Sequence, residues 1–249
     1  MRELSLHHKT VGDIPLVWLE PQSGKGSTLV IWLPGFSGTK ESVEPQLRDL
    51  AQAGFTALSY DPWQHGERRI ETQDELCQRI LSNIRSHFWP ILAHTAEESS
   101  QIIDWAVESL GVAPEVRMGG ISMGGDIAIA AASVDQRIKA VAACVATPDW
   151  LRPGSFEPPG EPDEYSLACY ERRNPLTHLE LYGHCPALSF QCGAIDGQVP
   201  PDGAQRFVTA LQPTYQDCPE RLDVSLHDGV GHAFTEAMWG NCLIWFQQW

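Results

Sequence analysis

One short pattern in this sequence has the residue types and spacing of a serine nucleophile. Gly120, Ser122 and Gly124 are arranged as G-x-S-x-G at the point where a strand-like run changes into a helical pattern. In such a turn the serine has strained backbone angles and its hydroxyl points out over the end of a sheet. Glycine is needed two residues to either side, because side chains there would collide as the strand and the helix close on each other.

The helix that follows would assist the chemistry of this serine. A helix that starts at Met123 directs free backbone N–H groups and the positive end of its dipole towards Ser122, where negative charge develops during acyl transfer. A pattern this short also arises by chance in a chain with 21 glycines. The hypothesis of a nucleophile therefore depends on whether the sequence also supplies a base and an acid.

A base and an acid follow the serine in the expected order. A serine hydroxyl is a poor nucleophile until a base takes its proton, and an acid must hold that base. The apolar run 186–193 leads into GAIDGQVP, which places Asp196 on a loop flanked by glycines. The alternating run 221–227 leads into HDGVGHAF, which places His232 on a loop before the last helical segment. We therefore expect Ser122, Asp196 and His232 to converge at one edge of a sheet.

Four other residues compete for these roles and are less suitable. His227 lies at the end of its strand beside a plain turn, early in the loop. Asp202 and Asp126 fall in the first turns of predicted helices, where the helix dipole already favours an acid. Glu115 precedes its strand, and nothing in the sequence places it near the serine.

The loop after the first central strand can supply a second donor for the oxyanion. In LPGFSG the residue after Gly35 is the natural candidate, so we assign the N–H of Phe36 together with that of Met123. Losing one such donor typically costs about a hundred- to a thousand-fold in rate. The alternative interpretation of this loop is a simple tight turn.

The elements that must position these residues alternate between strands and helices. Predicted strands cover 3–9, 15–19, 28–34, 55–60, 116–118, 139–146, 186–193 and 221–227. Predicted helices cover a segment ending at Gly54, then 72–92 with a capping box at Thr72 and Glu75, 97–110, a segment from Met123, a segment opened by Pro200-Pro201, and 233–249. This alternation predicts an α/β fold with a mainly parallel sheet and helices on both faces.

One stretch departs from the alternation. Residues 148–183 are rich in proline and charge, with only a short helical pattern around 165–172. A segment of this length is too long for an ordinary connection, so we expect a cap over the active site that builds the substrate pocket. The chain is otherwise expected to form a single domain over 1–249.

Composition and charge limit the possible partners. With 249 residues, 43% of them hydrophobic, the chain can bury one large core. The formal charge of −15 argues against binding nucleic acid or an anionic membrane, and leaves a small neutral substrate possible. The N-terminal residues show no signal peptide, and the seven cysteines form no C-x-x-C pair, which indicates reduced thiols in the cytoplasm. No metal-ligand spacing or dinucleotide fingerprint is present, so no cofactor is expected; the oligomeric state stays open.

Five motifs together resemble a known family. PGFSG, DPWQHGER, GGISMGG, GAIDGQVP and GVGHAF are similar to the α/β-hydrolase superfamily, and within it to small bacterial serine esterases related to dienelactone hydrolase and the prolyl-oligopeptidase catalytic domain. The likeness runs from about residue 28 to the C-terminus. It implies the α/β-hydrolase fold, with Ser122 as nucleophile, Asp196 as acid and His232 as base.

The chain departs from that family at identifiable positions. Dienelactone hydrolases carry cysteine where this chain has Ser122, which favours ordinary ester hydrolysis. The family usually has histidine where this chain has Pro34, before the glycine of the oxyanion loop. His65 in DPWQHGER is expected to be structural rather than catalytic, and Trp63 is a candidate pocket residue. Cys192 is the cysteine nearest to a site motif.

Taken together, the sequence predicts a serine carboxylesterase that hydrolyses short-chain acyl esters through an acyl-enzyme. A peptidase or thioesterase could use the same three side chains. A ligand-binding protein on a hydrolase scaffold would need one of the three positions to be broken, and none is.

Overall fold

Eight strands form one sheet in the parts of the chain that the computed structural model describes, residues 4–21 and 28–249. The strands are β1 (His7–Val11), β2 (Ile14–Leu19), β3 (Leu29–Leu33), β4 (Thr56–Tyr60), β5 (Val116–Ile121), β6 (Ile138–Cys144), β7 (Ala187–Gly193) and β8 (Leu222–His227). Their order in the sheet is β1-β2-β4-β3-β5-β6-β7-β8. The first two strands pair antiparallel, as do β2 and β4, and every pair from β4 to β8 is parallel.

Helices cover both faces of this sheet. They are α1 (Glu44–Gln52), α2 (Gln73–Ser82), α3 (Ile84–Trp105), α4 (Met123–Val134), α5 (Glu164–Arg173), α6 (Asp202–Leu211) and α7 (Glu236–Gln248). Side chains of β3 show why the central strands are apolar throughout. Ile31 belongs to one core, with residues of α2 to α6, and Trp32 belongs to the other, with residues of α1 and α7. Successive side chains of a strand face opposite sides, so a strand covered on both faces reads as a continuous apolar run.

The mainly parallel α/β architecture predicted from the sequence is confirmed. Because β3 to β8 run parallel, their carboxyl ends lie along one edge of the sheet. Phe36, Ser122, Asp196 and His232 each lie on the segment that follows one of these strands. The topology thus brings four distant stretches of sequence to one edge.

The first strand begins later than predicted. The expected strand over 3–9 is instead β1, which pairs with β2 from His7 opposite Trp18 to Val11 opposite Ile14 around the turn at Gly12. The pairing with β2 sets which residues before this turn become strand. Residue 3, the first of the predicted strand, lies outside the described residues.

The two helices predicted over 72–92 and 97–110 divide at a different point. The break lies at Asn83, whose extended backbone ends α2 and whose side chain accepts a hydrogen bond from the N–H of Ser86 at 3.1 Å to cap α3. From there α3 runs continuously past Pro90 to Trp105. The periodic apolar spacing does not register a one-residue cap, which is why the sequence pattern placed the break elsewhere. The capping box predicted at the start of α2 is present.

The segment 148–183 packs over the helices on one face of the sheet. Its first half is irregular, and α5 then packs against α3. The indole N–H of Trp89 on α3 donates to the carbonyl of Trp150 at 3.0 Å, and Asp163 caps α5 by accepting from the N–H of Ser166. None of the helices in the described ranges combines the length and the hydropathy that a membrane span requires.

Candidate active site

Ser122 occupies a strained turn between β5 and α4. Its backbone angles are φ 51° and ψ −115°, a conformation that side-chain-bearing residues rarely adopt. Its N–H donates to the carbonyl of Cys144 on β6 at 2.7 Å, and its carbonyl accepts from the N–H of Asp126 on α4 at 3.0 Å. The hydroxyl makes no hydrogen bond to the helix end. The surrounding backbone thus fixes the strained turn and leaves the hydroxyl available.

The two glycines of the pattern are required by close backbone approach. A Cβ on Gly124 would lie 2.5 Å from the carbonyl oxygen of Leu33 and 2.6 Å from that of Pro34. A Cβ on Gly120 would lie 2.6 Å from the carbonyl carbon of Gly124. These distances are shorter than real Cβ contacts, and the obstructing atoms are backbone. The reason given for glycine from the sequence therefore holds in the structure.

The three predicted side chains are joined by two hydrogen bonds. Nδ1 of His232 lies 2.7 Å from Oδ2 of Asp196, and Nε2 of His232 lies 3.0 Å from Oγ of Ser122. With its Nδ1 proton donated to the carboxylate, the neutral imidazole leaves Nε2 free to accept the serine O–H. The structure therefore brings together the residues that the sequence predicted to converge.

The carboxylate of Asp196 is buried and held by its own loop. Only 4% of the residue is exposed, and Oδ1 accepts from the N–H groups of Gln198 and Val199, each at 2.9 Å. Burial by itself would raise the pKa of Asp196. The hydrogen bonds with His232 and with the two amides lower the pKa by more than burial raises it, so the pKa lies below its ordinary value. The group is thus a carboxylate at neutral pH.

The loops that carry the acid and the base are bonded to each other. The N–H of Ile195 donates to the carbonyl of Val230, and that of Ala194 to the carbonyl of His227, each at 3.0 Å. A Cβ on Gly193 would lie 2.2 Å from the carbonyl oxygen of Gly231. This close approach fixes the separation between the two loops, and with it the hydrogen bond between their side chains.

The loop with Phe36 lies directly beside the serine. A Cβ on Gly35 would stand 3.8 Å from Cβ of Ser122, so the following amide is next to the nucleophile. The N–H of Gly38 donates to the carbonyl of Gly35 at 3.0 Å, which closes a tight turn. The ring of Phe36 packs edge-on against Phe88, with centroids 5.8 Å apart. The loop is therefore a tight turn, and its position beside the nucleophile is compatible with an oxyanion donor at Phe36.

The segment DPWQHGER contacts the Phe36 loop and the residues that follow it. The buried carboxylate of Asp61 accepts from the backbone N–H of Lys40 at 2.9 Å, from its ammonium at 3.0 Å and from the N–H of Glu67 at 2.9 Å. His65 is buried against the ring of Phe36, and its Nδ1 donates to the carbonyl of Trp63 at 3.0 Å. Burial lowers the pKa of His65, which keeps it neutral. These contacts give the segment a supporting place beside the site.

The competing residues have other partners. His227 shares a hydrogen bond with the side-chain oxygen of Gln191 at 2.9 Å. Asp202 accepts from Arg206 one turn along α6. Burial raises the pKa of the Cys192 thiol to about 12, which keeps it protonated. Among the described residues, no group of three or more His, Cys, Asp or Glu side chains is placed to hold a metal ion.

A small pocket with a cavity volume of about 20 Å³, partly open to solvent, adjoins the serine. Its apolar wall comes from Phe36 and from α2 and α3: Ile80, Leu81, Ile84 and Phe88. The segment 148–183 contributes only Arg152 and Glu157, so the expectation that this segment builds the pocket is wrong for the apolar part. Trp63 packs against the ring of His94 instead of this pocket. The packing of α2 and α3 against the site determines which side chains line the pocket. The periodic spacing of apolar residues in the sequence shows only that these helices have an apolar face.

A buried ion pair, which the sequence motifs do not predict, lies beside the site. Asp126 is fully buried, accepts from the N–H of Thr147 at 2.7 Å and pairs with the guanidinium of Arg152 at 2.7 Å. Burial raises the pKa of Asp126, and Arg152 counteracts this effect. The position of Asp126 at the start of a helix offers it only the helix dipole, and the dipole alone does not stabilise a fully buried charge. The signal was present, since a carboxylate within MGGDIAIAAA needs a partner.

Comparison with known proteins identifies the fold family. A family model described as alpha/beta hydrolase fold matches residues 28–211. The chain is 24% identical over 259 aligned residues to "Putative esterase YitV" of Bacillus subtilis (strain 168), with 98% of each sequence covered.

Solved structures show the same fold. TT1662 from Thermus thermophilus superposes with a TM-score of 0.82 at 23% identity, covering 100% of this chain and 98% of the other. A protein from Klebsiella pneumoniae subsp. pneumoniae MGH 78578, described as a "Putative Dienelactone Hydrolase", superposes with a TM-score of 0.72 at 17% identity, with both chains fully covered. Each likeness extends over the entire described sheet and its helices.

Proposed function

The chain belongs to the α/β-hydrolase family, as its motifs predict, and we propose that it is a serine carboxylesterase acting on short-chain acyl esters. The observation that carries the proposal is the hydrogen-bonded series from Asp196 through His232 to Ser122 on its strained turn. The relative in Bacillus subtilis bears the name of an esterase, which supports hydrolase activity of this type.

The proposed reaction uses the geometry directly. Ser122 attacks the acyl carbonyl while Nε2 of His232, at 3.0 Å, takes the hydroxyl proton. Asp196 holds the imidazole in the required tautomer and stabilises its charged form. The proton then passes to the departing alcohol, which leaves an acyl-enzyme. Water repeats the attack with the same base, and the acid is released.

Backbone amides stabilise the charge that develops on the carbonyl oxygen. We assign the N–H of Met123, at the start of α4, and the N–H of Phe36, in the loop beside the nucleophile. Pro34 does not interfere, because the donor amide belongs to a residue two positions later. The chain itself supplies nucleophile, base, acid and oxyanion donors, so the proposed reaction needs no cofactor.

The surroundings of the site support a small neutral substrate. We propose that 148–183 acts as a cap within one α/β-hydrolase domain, with Arg152 and Glu157 at the pocket and α5 packed on α3. The formal charge of −15 disfavours nucleic acid and anionic membranes as partners. We propose a cytoplasmic location because all seven cysteines are free, including Cys144 and Cys242, whose sulfur atoms are 3.3 Å apart.

Replacing the nucleophile tests the proposal. Ser122→Ala removes the attacking oxygen and should reduce kcat for p-nitrophenyl acetate and butyrate by about 10⁴-fold or more. Ser133→Ala is the matched control, because this serine lies at the far end of α4 from the nucleophile and its hydroxyl donates to the carbonyl of Ala130. Equal activity of Ser122→Ala and wild type, with both folded by circular dichroism, would reject the assignment.

Labelling and substrate panels separate the alternatives. A fluorophosphonate probe should label wild type and Ser133→Ala but not Ser122→Ala or heat-denatured protein; no labelling of the native protein would favour a non-catalytic role. Initial rates on p-nitrophenyl esters, acyl thioesters and dipeptide amides then compare the three hydrolase activities. A higher kcat/KM for amides or thioesters than for esters would replace carboxylesterase by peptidase or thioesterase.

A further inference from the structure

The pocket at Ser122 ends at a wall that separates it from a second cavity. Ile84, Arg152 and Glu157 line the pocket at the serine and also line a neighbouring cavity of about 190 Å³. That second cavity lies between the start of α3 and the irregular segment 150–159. Since the same three side chains border both spaces, they are the barrier between them.

The polar part of this wall is a held ion pair. Nη1 of Arg152 lies 3.1 Å from Oε2 of Glu157, and Nη2 lies 2.7 Å from Oδ2 of the buried Asp126. The other carboxylate oxygen of Glu157 accepts from the side-chain amide of Gln198 at 2.9 Å. The guanidinium also stacks over the ring of Phe88, 5.2 Å from its centroid. Both charged side chains are only 9% exposed.

This wall opposes the entry of an apolar group through its buried charges as well as through the volume of its side chains. An alkyl chain that enters past the apolar side chains of α2 and α3 meets the Arg152–Glu157 pair. To advance, it would have to break the ion pair between two mostly buried charges, leaving Arg152 with only Asp126 and Glu157 with only Gln198. This loss costs more than burying methylenes returns. The pocket is therefore closed to chain extension in this direction.

We propose that Glu157, held in place by Arg152 and Gln198, sets the length limit for the apolar part of the ester that enters the pocket at Ser122. Ile84 forms the apolar part of the same barrier. The second cavity is the space that becomes available when the barrier is removed. This inference rests on the proposed esterase function, and it names the residues that confine that function to short chains.

The wild-type enzyme gives the first test. We measure kcat/KM for p-nitrophenyl esters with acyl chains of two to twelve carbons, and for alkyl acetates with alcohols of the same lengths. In the series whose variable part enters the pocket, activity should fall steeply beyond about four to six carbons. Undiminished activity towards ten-carbon chains in both series would overturn the proposal without any variant.

Opening the wall should move this limit. Glu157→Ala removes the carboxylate that closes the barrier, and Ile84→Ala opens it from a different element. Each should raise kcat/KM for the longer chains relative to short ones, by roughly fourfold for every additional methylene that becomes buried. If Glu157→Ala fails to fold, Ile84→Ala carries the same test.

Two matched variants separate wall opening from general loosening. Glu157→Gln keeps the size of the side chain and an oxygen for the bond from Gln198 but removes the charge, so its length profile should lie between those of wild type and Glu157→Ala. Leu151→Ala enlarges only the second cavity, which Leu151 lines without bordering the pocket, so its profile should stay that of wild type. A shift of equal size in Leu151→Ala would overturn the assignment of the wall.

The failure of this inference can be told from failure of the proposed function. If wild type hydrolyses no ester while folded, the proposed function fails. If wild type hydrolyses short esters and Ser122→Ala does not, the function stands. Suppose that thermal unfolding shows wild type, Glu157→Ala and Ile84→Ala all to be folded. If kcat/KM then depends on chain length in the same way in all three, the assignment of the wall is rejected while the proposed function stands.

Discussion

The Asp196 carboxylate illustrates how one side chain can serve both stability and chemistry. A buried acid orients a histidine only if its own charge is stabilised, and here two amides of its loop and the imidazole provide that stabilisation. Burial opposes ionisation, yet the pKa of Asp196 lies below its ordinary value because these three hydrogen bonds outweigh it. The same hydrogen bonds therefore keep the acid charged and the base correctly oriented.

Replacing this carboxylate should reduce the catalytic rate. Asp196→Asn keeps the shape but presents an amide that favours the wrong imidazole tautomer, so kcat at neutral pH should fall by about 10⁴-fold. Steady-state kinetics on p-nitrophenyl butyrate measure the change. The control is Asp202→Asn, at an exposed acid of α6 whose carboxylate accepts from Arg206 away from the nucleophile. A loss below tenfold in Asp196→Asn would contradict the role.

The lowered pKa also predicts a pH dependence of stability. Because the folded-state pKa of Asp196 lies below its unfolded value near 4, its carboxylate stabilises the fold fully above about pH 4. This contribution is lost as the pH falls through the folded-state pKa. Urea unfolding of wild type and Asp196→Asn from pH 7 to pH 2.5 should show a constant gap in unfolding free energy that narrows only below about pH 4. A gap that is the same throughout this range would contradict the prediction.

Among the elements, the β5–α4 turn has a strict geometric requirement. Strand β3, the turn and helix α4 approach so closely that backbone oxygens occupy the space of a side chain at Gly120 and Gly124. The strain at Ser122 is supported by this packing and by its hydrogen bonds to β6 and α4. The backbone of this turn therefore cannot shift to accommodate a larger side chain without moving β3 or α4.

A single methyl group should test this element. Gly124→Ala places a Cβ 2.5 Å from a backbone oxygen of Leu33, so the helix or the strand must shift. We expect a loss of about 3 kcal/mol in unfolding free energy, as for overpacked cores, together with a large loss of esterase activity. Urea unfolding and kinetics give both quantities.

The matched control lies in another helix. Gly240 on α7 has no atom within 4 Å of the position of an added Cβ. Gly240→Ala should keep activity and raise stability by about 0.5–1 kcal/mol through helix propensity. Similar effects from the two substitutions would show that crowding at the turn is not the cause.

For the whole molecule, the excess of acidic residues is a separate influence on stability. The chain carries 32 acidic and 17 basic side chains and has a pI of about 4.9. At neutral pH and low salt, repulsion among these charges opposes the compact state, and it acts over the Debye length of about 30 Å at 0.01 M salt. Near the pI the repulsion is largely absent.

Salt should therefore stabilise this protein in a pH-dependent manner. Raising NaCl from 0.01 to 0.2 M at pH 7.5 should increase Tm by about 2–4 °C, the shift that corresponds to roughly 1 kcal/mol in a chain of this size. At pH 5 the same change should have little effect. Thermal unfolding by circular dichroism measures both. An equal increase at the two pH values would point to a salt effect unrelated to net charge.

The sequence by itself determined the alternating fold and the three side chains that meet at the sheet edge. Both follow from local patterns: continuous apolar runs give buried parallel strands, and parallel strands carry their following loops to one edge. The glycines around Ser122 and the loops of Asp196 and His232 are therefore readable from short stretches.

Only the tertiary structure decided the pocket and its charged wall. Ile84, Arg152 and Glu157 come from two segments more than sixty residues apart, and none belongs to a motif. The partner of Asp126 is likewise 26 residues away, on an irregular segment. Patterns of apolar spacing indicate that a side chain is buried but not what it is buried against, and it is that neighbour which fixes the shape and charge of this site.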